Sequence, residues 1–293
     1  MGRVVLITGG SRGIGAAVAR RLAAQGDTLA LVGLEPDELA KVAAECGPEA
    51  GWWEADVTDG ASVQAAVDAI VERYGRIDVV VANAGIAAPG FTRSMDPAAF
   101  ERVIEVDLLG VGRTVHATLP HLVESRGYLL LVSSLAAIIH APGLAPYNVA
   151  KAGVEALANS LRVELRHLGV GVGVAHPGFI DTDMVRGVDE HPVFGGVRSG
   201  VPLFSRVYPL QLLVDKFARG IDRRARAIHV PGWVGAVKVV RAGLPRLVEA
   251  ASARRVASAD AAALADIAAR GRADASAASG AGGRADDRAR GAR

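Results

Sequence analysis

Short apolar runs alternate with longer amphipathic stretches along most of the chain. The runs that predict strands span residues 4–7, 28–32, 51–54, 79–82, 128–132, 171–175 and 227–230. The stretches with helical periodicity span residues 14–25, 37–46, 62–74, 97–123 and 149–168. Strands that are apolar throughout are typical of a parallel sheet covered on both faces. The alternation therefore predicts an α/β fold, a single doubly wound Rossmann-type domain with about seven parallel strands and helices on both faces.

The composition changes near residue 250, where we place the end of this domain. No aromatic residue follows Trp233, and the last forty residues contain sixteen Ala, eight Arg and five Asp. Such a segment has few bulky apolar side chains with which to offset the entropy lost on folding. We therefore treat residues 251–293 as an Ala/Arg/Asp-rich tail and predict disorder from about residue 271.

Charge and cysteine content exclude several classes of protein. The chain has 33 Lys and Arg against 31 Asp and Glu, a net charge of +2. So small an excess does not indicate a nucleic-acid-binding protein. A single cysteine, Cys46, allows no internal disulfide, which is typical of the cytoplasm, and no secretory signal is recognisable. The histidines lack metal-ligand spacing, so no metal is predicted. Residues 127–150 carry no Asp, Glu, Lys or Arg, but polar residues and prolines interrupt them, so no membrane span is predicted.

A glycine-rich turn joins the first predicted strand to the first predicted helix. Its sequence is Thr8-Gly9-Gly10-Ser11-Arg12-Gly13-Ile14-Gly15. Glycines let a pyrophosphate approach the backbone, and the helix N-terminus supplies amide donors and the positive end of a dipole. The turn therefore predicts a dinucleotide site, whereas the lack of a Gly-Lys-Ser/Thr sequence excludes a Walker phosphate loop.

Four further motifs follow in order: Asp56-Val57, Asn83-Ala84-Gly85, Ser134 with Tyr147-Asn148-Val149-Ala150-Lys151, and Pro177-Gly178-Phe179-Ile180-Asp181-Thr182. With the Gly-x-x-x-Gly-x-Gly spacing of the turn, they resemble the short-chain dehydrogenase/reductase family in its shorter branch. The resemblance covers roughly residues 3–235. It implies an NAD(P)-dependent enzyme that transfers a hydride between nicotinamide and a ketone or secondary alcohol.

The resemblance also implies a role for each motif in binding the cofactor. Asp56 would accept a hydrogen bond from the adenine amino group, with Val57 beside the ring. The Asn83 motif would lie close to the adenine ribose. The Pro177 motif would hold the nicotinamide carboxamide, and Lys151 the nicotinamide ribose. The full set of implied cofactor-binding residues is Thr8, Gly9, Ser11, Arg12, Gly13, Ile14, Gly15, Asp56, Val57, Asn83, Ala84, Gly85, Tyr147, Lys151, Pro177, Gly178, Ile180 and Thr182.

The implied catalytic residues are Ser134, Tyr147, Lys151 and Asp107. Tyr147 and Lys151 are four residues apart, so on a helix they share one face. A nearby ammonium is expected to lower the pKa of the Tyr147 phenol, which then acts as general acid or base, while Ser134 donates to the substrate oxygen. Asp107 is a departure, because the family carries Asn there; Asp keeps the acceptors but loses the amide donors.

The residues around the second strand favour NADP over NAD without deciding between them. The acidic residue that would mark NAD is absent, because its position is Gly33. Arg12 resembles the basic residue with which NADP-using members hold the 2′-phosphate. Against this, Leu34 stands where many such members have a second Arg, and the next residue, Glu35, would repel a phosphate or bind a hydroxyl.

The residues that select the substrate are expected to lie in a lid at about residues 184–211, as in the family. Its apolar side chains favour a lipophilic, steroid-like or long-chain substrate, unless they only pack the lid onto the domain. These side chains are Met184, Val193, Phe194, Val201, Leu203, Phe204, Val207 and Tyr208.

Two other functions and two kinds of partner remain open. A non-catalytic nucleotide-binding regulator would lose the Tyr/Lys pair, and a sugar-nucleotide epimerase or dehydratase would show a different glycine spacing and a larger C-terminal domain. The family implies a homodimer or homotetramer. An apolar stripe of Trp233, Val237, Val240, Leu244 and Leu247 is compatible with peripheral membrane contact, but we favour packing because Pro245 interrupts it.

Overall fold

The computed structural model describes residues 2–193 and 206–291, and places seven strands in one sheet. The predicted lid residues Phe194, Val201, Leu203 and Phe204 lie outside the described residues. The strands are β1 (Val4–Thr8), β2 (Thr28–Gly33), β3 (Gly51–Glu54), β4 (Val79–Ala82), β5 (Tyr128–Val132), β6 (Gly171–Pro177) and β7 (Ala227–Val230).

The sheet is parallel throughout and has the order β3-β2-β1-β4-β5-β6-β7. The chain reverses its direction of travel across the sheet between β1 and β4, which pair directly, with Val5 opposite Val79. Ligands of doubly wound sheets bind beyond the carboxyl ends of the strands at this reversal. The predicted α/β Rossmann-type fold is confirmed, and its geometry fixes where the site lies.

The described helices cover both faces of this sheet. They are α1 (Gly13–Ala23), α2 (Pro36–Cys46), α3 (Gly60–Tyr74), α4 (Pro97–Ile104), α5 (Gly110–Ser125), α6 (Ala145–Glu164), α7 (Asp183–Asp189), α8 (Leu210–Asp222), α9 (Trp233–Val239), α10 (Leu244–Arg270), α11 (Arg272–Ala275) and α12 (Gly280–Gly291).

Alternate residues of the central strands fill two separate cores, one on each face of the sheet. Leu6 and Leu129 belong to the core beneath α3, α5 and α6, whereas Ile7 and Leu130 belong to the core beneath α1 and α8. All four side chains are at most 1% exposed, so the strands have no solvent-facing side. This two-sided burial explains why these strands are apolar at nearly every position.

The single helix predicted over residues 97–123 is interrupted. A π-helical segment, Glu105–Leu109, separates α4 from α5. Periodicity alone did not indicate this interruption, because apolar residues continue through it. π-helical turns inside α-helices occur mostly at functional sites, and this one carries Asp107.

The disorder predicted from about residue 271 is not what the structure shows. Residues Arg272–Ala275 and Gly280–Gly291 are helical, and Ala275, Ser276 and Asp286 are buried. The prediction of disorder rested on the lack of bulky apolar side chains. This segment instead packs through small residues and ion pairs, which hydrophobic periodicity does not report. The domain boundary near residue 250 remains a prediction.

The apolar stripe predicted from Trp233 onward lies on two helices, because α9 ends at Val239 and α10 begins at Leu244. Trp233, Val237 and Leu244 pack against a small core around buried Val234, as the packing interpretation requires. Val240 and Leu247 do not join them, being 61% and 65% exposed. Within the described part of the chain, no helix is long and apolar enough to cross a membrane.

Candidate active site

The glycine turn forms one wall of a cleft at the carboxyl ends of β1 and β4. Gly13, the first residue of α1, has φ +54°, and a Cβ there would meet nothing within 4 Å, so the backbone is open to a ligand. A Cβ on Gly15 would instead overlap the carbonyl oxygen of Gly9. The turn therefore needs glycine for its own closure and presents bare backbone at a helix N-terminus, which fits a dinucleotide pyrophosphate.

The Asn83 motif supports this turn from the neighbouring strand. The Asn83 side-chain amide donates to the carbonyl oxygens of Thr8 at 3.0 Å and of Gly9 at 3.3 Å. The Thr8 hydroxyl accepts from the backbone amides of Asn83 and Ala84. Thr8 thus acts behind the cleft, holding the ends of β1 and β4 together.

Ser11, Arg12 and Glu35 form a polar cluster at one end of the cleft. Both the Ser11 hydroxyl, at 3.0 Å, and the Arg12 guanidinium donate to the Glu35 carboxylate. Hydrogen bonding to Glu35 raises the pKa of Arg12 and keeps it charged. Two donors on the cleft wall therefore already hold an anion of the chain itself.

Asp56 lies at the same end of the cleft and is 4% exposed. Its Oδ1 accepts from the backbone amide and hydroxyl of Thr58, and its Oδ2 is 3.6 Å from Nη2 of Arg102. Arg102 also pairs with Asp286 of α12. The carboxylate implied to bind adenine is thus in place, and a residue from the C-terminal tail lies beside it.

Tyr147 lies in the first turn of α6, and Lys151 follows one turn later on the same face. The Lys151 ammonium donates to the carbonyl oxygen of Val132, at the end of β5, at 3.3 Å and lies 5.5 Å from the centre of the Tyr147 ring. The Ser133 hydroxyl donates to the Lys151 carbonyl oxygen, which fixes α6 against β5. Ser134, the next residue, lines the cleft beside Tyr147.

Asp107 makes a buried ion pair with Lys151. Its Oδ2 lies 3.1 Å from the Lys151 ammonium, and its Oδ1 accepts from the backbone amide of Ile86 at 2.7 Å. Both charged side chains are at most 4% exposed. A Cβ on Gly85 would lie 3.1 Å from Asp107 Oδ2 and 3.2 Å from the Lys151 ammonium, so the small residue leaves room for the pair.

Burial and the two members of this pair act on the pKa of Tyr147 in different directions. Burial is the largest influence on the Tyr147 phenol and raises its pKa; Lys151 lowers it, but the Asp107 carboxylate raises it again. Burial lowers the pKa of Lys151, yet Asp107 and Tyr147 outweigh that effect and the pKa of the ammonium is raised. Lys151 thus acts on Tyr147 in the expected direction, but burial, with Asp107 in addition, leaves the pKa of the phenol raised.

The Pro177 motif closes the opposite side of the cleft. The Gly178 amide donates to the carbonyl oxygen of Val230 at 2.6 Å, which ties the end of β6 to β7. Thr182 caps α7, accepting from the Val185 amide, and its hydroxyl donates to the Ile180 carbonyl oxygen at 3.3 Å. Pro177, Gly178, Ile180 and Thr182 all border the cleft.

A second, apolar cavity of about 170 Å³ adjoins the cleft. Ser134 and Tyr147 border both spaces, and so does Met184 of α7. The other side chains around the cavity are almost all apolar, and Asp189 is the only charged residue among those described there. Ser134 and Tyr147 thus lie at the boundary between the cleft of the glycine turn and an apolar chamber.

Most of the predicted site residues meet in the cleft. Those that border it are Gly9, Ser11, Arg12, Gly13, Ile14, Asp56, Val57, Asn83, Ala84, Gly85, Ser134, Tyr147, Lys151, Pro177, Gly178, Ile180 and Thr182. Thr8, Gly15 and Asp107 are not on its surface and act from behind. Sequence reasoning missed Arg102, which lies beside Asp56. It also missed the tail residues that border the cleft, for which the sequence carries no recognisable signal: Ser279, Gly282, Gly283, Ala285 and Asp286.

Comparison with known proteins agrees with this geometry. The short chain dehydrogenase family pattern matches residues 3–192, more than half of the chain. The chain belongs to this family. A curated relative, the cis-4-hydroxycyclohexanecarboxylate dehydrogenase of Sinomonas cyclohexanicum, is 38% identical over 190 residues, which are 64% of this chain and 76% of the relative. The protein is accordingly an NAD(P)-dependent oxidoreductase that acts on an alcohol or ketone.

Solved structures of similar fold carry both kinds of nicotinamide nucleotide. The 3-ketoacyl-(acyl-carrier-protein) reductase from Brucella melitensis, complexed with NADH, matches with TM-score 0.70 and 27% identity over 78% of this chain and 96% of that one. An alcohol dehydrogenase from Thermococcus sibiricus, complexed with 5-hydroxy-NADP, matches with TM-score 0.67 and 31% identity over 78% and 96%. A nicotinamide cofactor is thus supported, without a choice between the two.

Proposed function

We propose that this short-chain dehydrogenase interconverts an uncharged, lipophilic ketone and its secondary alcohol, with NADP as the preferred nucleotide. The observation that carries the proposal is the position of Ser134 and Tyr147, which border both the nucleotide cleft and the apolar cavity. A substrate in that cavity would present its oxygen to both hydroxyls. Long-chain and steroid-like ketones are the class that such a lining suits.

Each catalytic side chain has a distinct task in this scheme. The Tyr147 phenol gives a proton to the carbonyl oxygen in reduction and takes it from the alcohol in oxidation. The Ser134 hydroxyl donates a hydrogen bond to the same oxygen and stabilises its developing negative charge. Lys151 stays protonated and favours the phenolate form of Tyr147. When bound, the nicotinamide supplies or accepts the hydride.

The charge of the cavity favours a neutral substrate over a carboxylate. The curated relative is named for a ring alcohol that carries a carboxylate. Among the described residues around the cavity there is no Lys or Arg that could pair with an anion. A ring alcohol like the one in the relative's name is compatible with this apolar cavity. The carboxylate of that compound would find no cationic partner among the described lining residues.

The preference for NADP is supported by the polar cluster at the end of the cleft. Ser11 and Arg12 hold the Glu35 carboxylate, so this end of the cleft is built to bind an anion. A 2′-phosphate carries more negative charge than a carboxylate and can accept hydrogen bonds from the same two groups, the Ser11 hydroxyl and the Arg12 guanidinium. NADP would then replace Glu35 as their partner.

The proposal is tested by measuring turnover with a panel of neutral and acidic alcohols and ketones, with both nucleotides. Tyr147→Phe is expected to lower kcat by a factor of about 10² to 10⁴, because the proton-transfer group is lost, while nucleotide affinity changes little. The exposed His167→Gln is a control that keeps full turnover. Near wild-type turnover of the Phe variant on the best substrate would contradict the role of Tyr147, and a marked preference for acidic substrates would contradict the substrate class.

A further inference from the structure

The C-terminal part of the chain returns to the nucleotide cleft. After the 27-residue helix α10, residues 276–286, here called the tail segment, run along the cleft and enter α12. Ser279, Gly282, Gly283, Ala285 and Asp286 border the same space as the glycine turn and Asp56. A segment of the chain therefore lies where the dinucleotide is proposed to bind.

Backbone contacts hold the tail segment on two sides. On one side, the Ser279 amide donates to the carbonyl oxygen of Ala87 at 2.7 Å, and the Asp96 amide donates to the Ser276 hydroxyl at 2.9 Å. On the other side, a Cβ placed on Gly187 of α7 would lie only 2.5 Å from the Gly280 nitrogen. The close approach to α7 and the paired buried polar groups show a specifically docked segment.

An ion pair anchors the far end of the tail segment. The Asp286 side chain is 3% exposed and pairs with Arg102, whose side chain is 14% exposed. The same guanidinium lies 3.6 Å from Asp56, the residue implied to bind the adenine amino group. A buried carboxylate is costly unless it is paired, so docking of this end depends on Arg102.

The tail segment takes up part of the space at the end of the cleft beside Asp56. With the tail segment docked, the remaining cavity is about 220 Å³. Pockets that hold drug-sized ligands have volumes of roughly 300–1,000 Å³, and a dinucleotide is at least of that size. The docked tail and a bound dinucleotide would therefore compete for the end of the cleft beside Asp56.

We propose that the tail segment is an internal occupant of the nucleotide cleft, and that it must leave before the dinucleotide binds fully. The proposal rests on the proposed function, which assigns the cleft to a nicotinamide dinucleotide. Affinity for the nucleotide then equals the intrinsic affinity multiplied by the fraction of molecules with an open cleft. Weakening the docking of the tail should increase that fraction.

Hydrogen–deuterium exchange on the full-length chain tests the displacement directly. Addition of saturating NADP⁺, and of NAD⁺ in a second sample, is expected to speed amide exchange in residues 280–291, because the docked helix is released. Unchanged exchange would contradict the proposal. Slower exchange would also overturn it, since it would mean that the tail closes over a bound nucleotide.

Two conservative variants of the full-length chain test the effect on affinity. Asp286→Asn removes the charge that pairs with Arg102, and Ser276→Ala removes an uncharged anchor at the other end of the tail segment. We expect Asp286→Asn to bind the preferred nucleotide about tenfold more tightly, equivalent to about 1.4 kcal/mol. Ser276→Ala should shift the affinity in the same direction by a smaller factor, which a purely electrostatic effect of Asp286 would not do.

Asp274→Asn is the matched control for these measurements, because it removes the same charge from an exposed position in the tail. It should leave the dissociation constant, measured by titration calorimetry, unchanged. Equal affinity of wild type and both anchor variants would overturn the proposal. Failure of wild type and of both variants to bind either nucleotide would instead contradict the proposed function, so the two failures are distinguishable.

Discussion

The Asp107 carboxylate limits how far Lys151 favours the phenolate form of Tyr147. In a buried site, a cation paired at 3.1 Å with a carboxylate has less net effect on a third group than an unpaired cation. Removing the carboxylate should therefore increase the influence of Lys151. Asn is the natural replacement, because its Oδ1 can still accept from the Ile86 amide.

Asp107→Asn is expected to lower the pKa of Tyr147, because the carboxylate raises it. Alcohol oxidation needs the phenolate, so activity is lost as the pH falls through the Tyr147 pKa. A lower pKa moves this acidic limb of the kcat/KM profile to lower pH, by about one unit, the low end of the shift that one nearby charge produces. An unchanged limb, or one displaced to higher pH, would show that Asp107 does not act on Tyr147.

Nucleotide choice can be tested on the Arg12 and Glu35 pair. If Arg12 holds the 2′-phosphate, Arg12→Ala should weaken NADPH binding by about 1.5–3 kcal/mol and leave NADH binding nearly unchanged. Glu35→Gln should strengthen NADPH binding, because it removes the competing anion. The NAD alternative gives the opposite pattern, with Glu35→Gln weakening NADH, since the carboxylate would then bind the ribose hydroxyl. Titrating each variant with both nucleotides separates the two.

Whether a helix, strand or turn could be predicted from the sequence depended on whether it requires a recognisable pattern of residue types. The central strands were found because they are buried on both faces and almost wholly apolar, and the glycine turn because an exposed backbone requires glycine. The edge strands β3 and β7 are partly exposed. The π-helical segment carrying Asp107 and the docking of the tail were not predicted. Neither changes hydrophobic periodicity, and the pairing of Arg102 with Asp286 joins residues 184 positions apart in the chain.

Helix α9 provides a test of the packing interpretation. Val234 is fully buried in a cluster with Leu135 and Ile138, whereas Val239 on the same helix is 85% exposed. Val234→Ala should lower the free energy of unfolding by about 1–3 kcal/mol, the value of a buried Val side chain. Val239→Ala should change it by less than about 0.5 kcal/mol. Equal effects in urea denaturation would contradict packing of α9 on the domain.

For the whole molecule, one buried cluster connects stability to pH. His176 is fully buried between β5 and β7, its ring is stacked on His229, with centroids 5.2 Å apart, and its Nε2 lies 2.7 Å from Oε2 of Glu155. Lys238 and Arg241 pair with the other oxygen of Glu155, and the Lys216 ammonium donates to the His229 carbonyl oxygen. The cations lie near two stacked imidazoles, of which His176 contacts the Glu155 carboxylate, so adding protons to both imidazoles is unfavourable.

The direction of the pH effect follows from the pKa shifts of these two histidines. Burial is the largest cause in both: it lowers the pKa of His176 despite Glu155, and it lowers the pKa of His229 from 6.5 to about 4. Between these values the unfolded chain binds more protons than the folded one, so the free energy of unfolding must fall as the pH drops from 6.5 towards 4. Glu155 adds to this loss in the same direction, but mostly below that window, because its pKa is lowered from 4.5 to about 2.

His229→Gln should therefore flatten the decline of stability between pH 6.5 and 4. The variant removes one group that must gain a proton on unfolding, so proton uptake on unfolding should fall by up to about one proton in this window. His167→Gln is the matched control, because His167 is exposed in the folded chain and its removal should leave the curve unchanged. Urea denaturation at half-unit pH intervals measures the three curves. If the His229 variant kept the wild-type slope, the buried imidazole pair would not be the source of the pH dependence, and the acidic residues of the ion pairs would have to account for it.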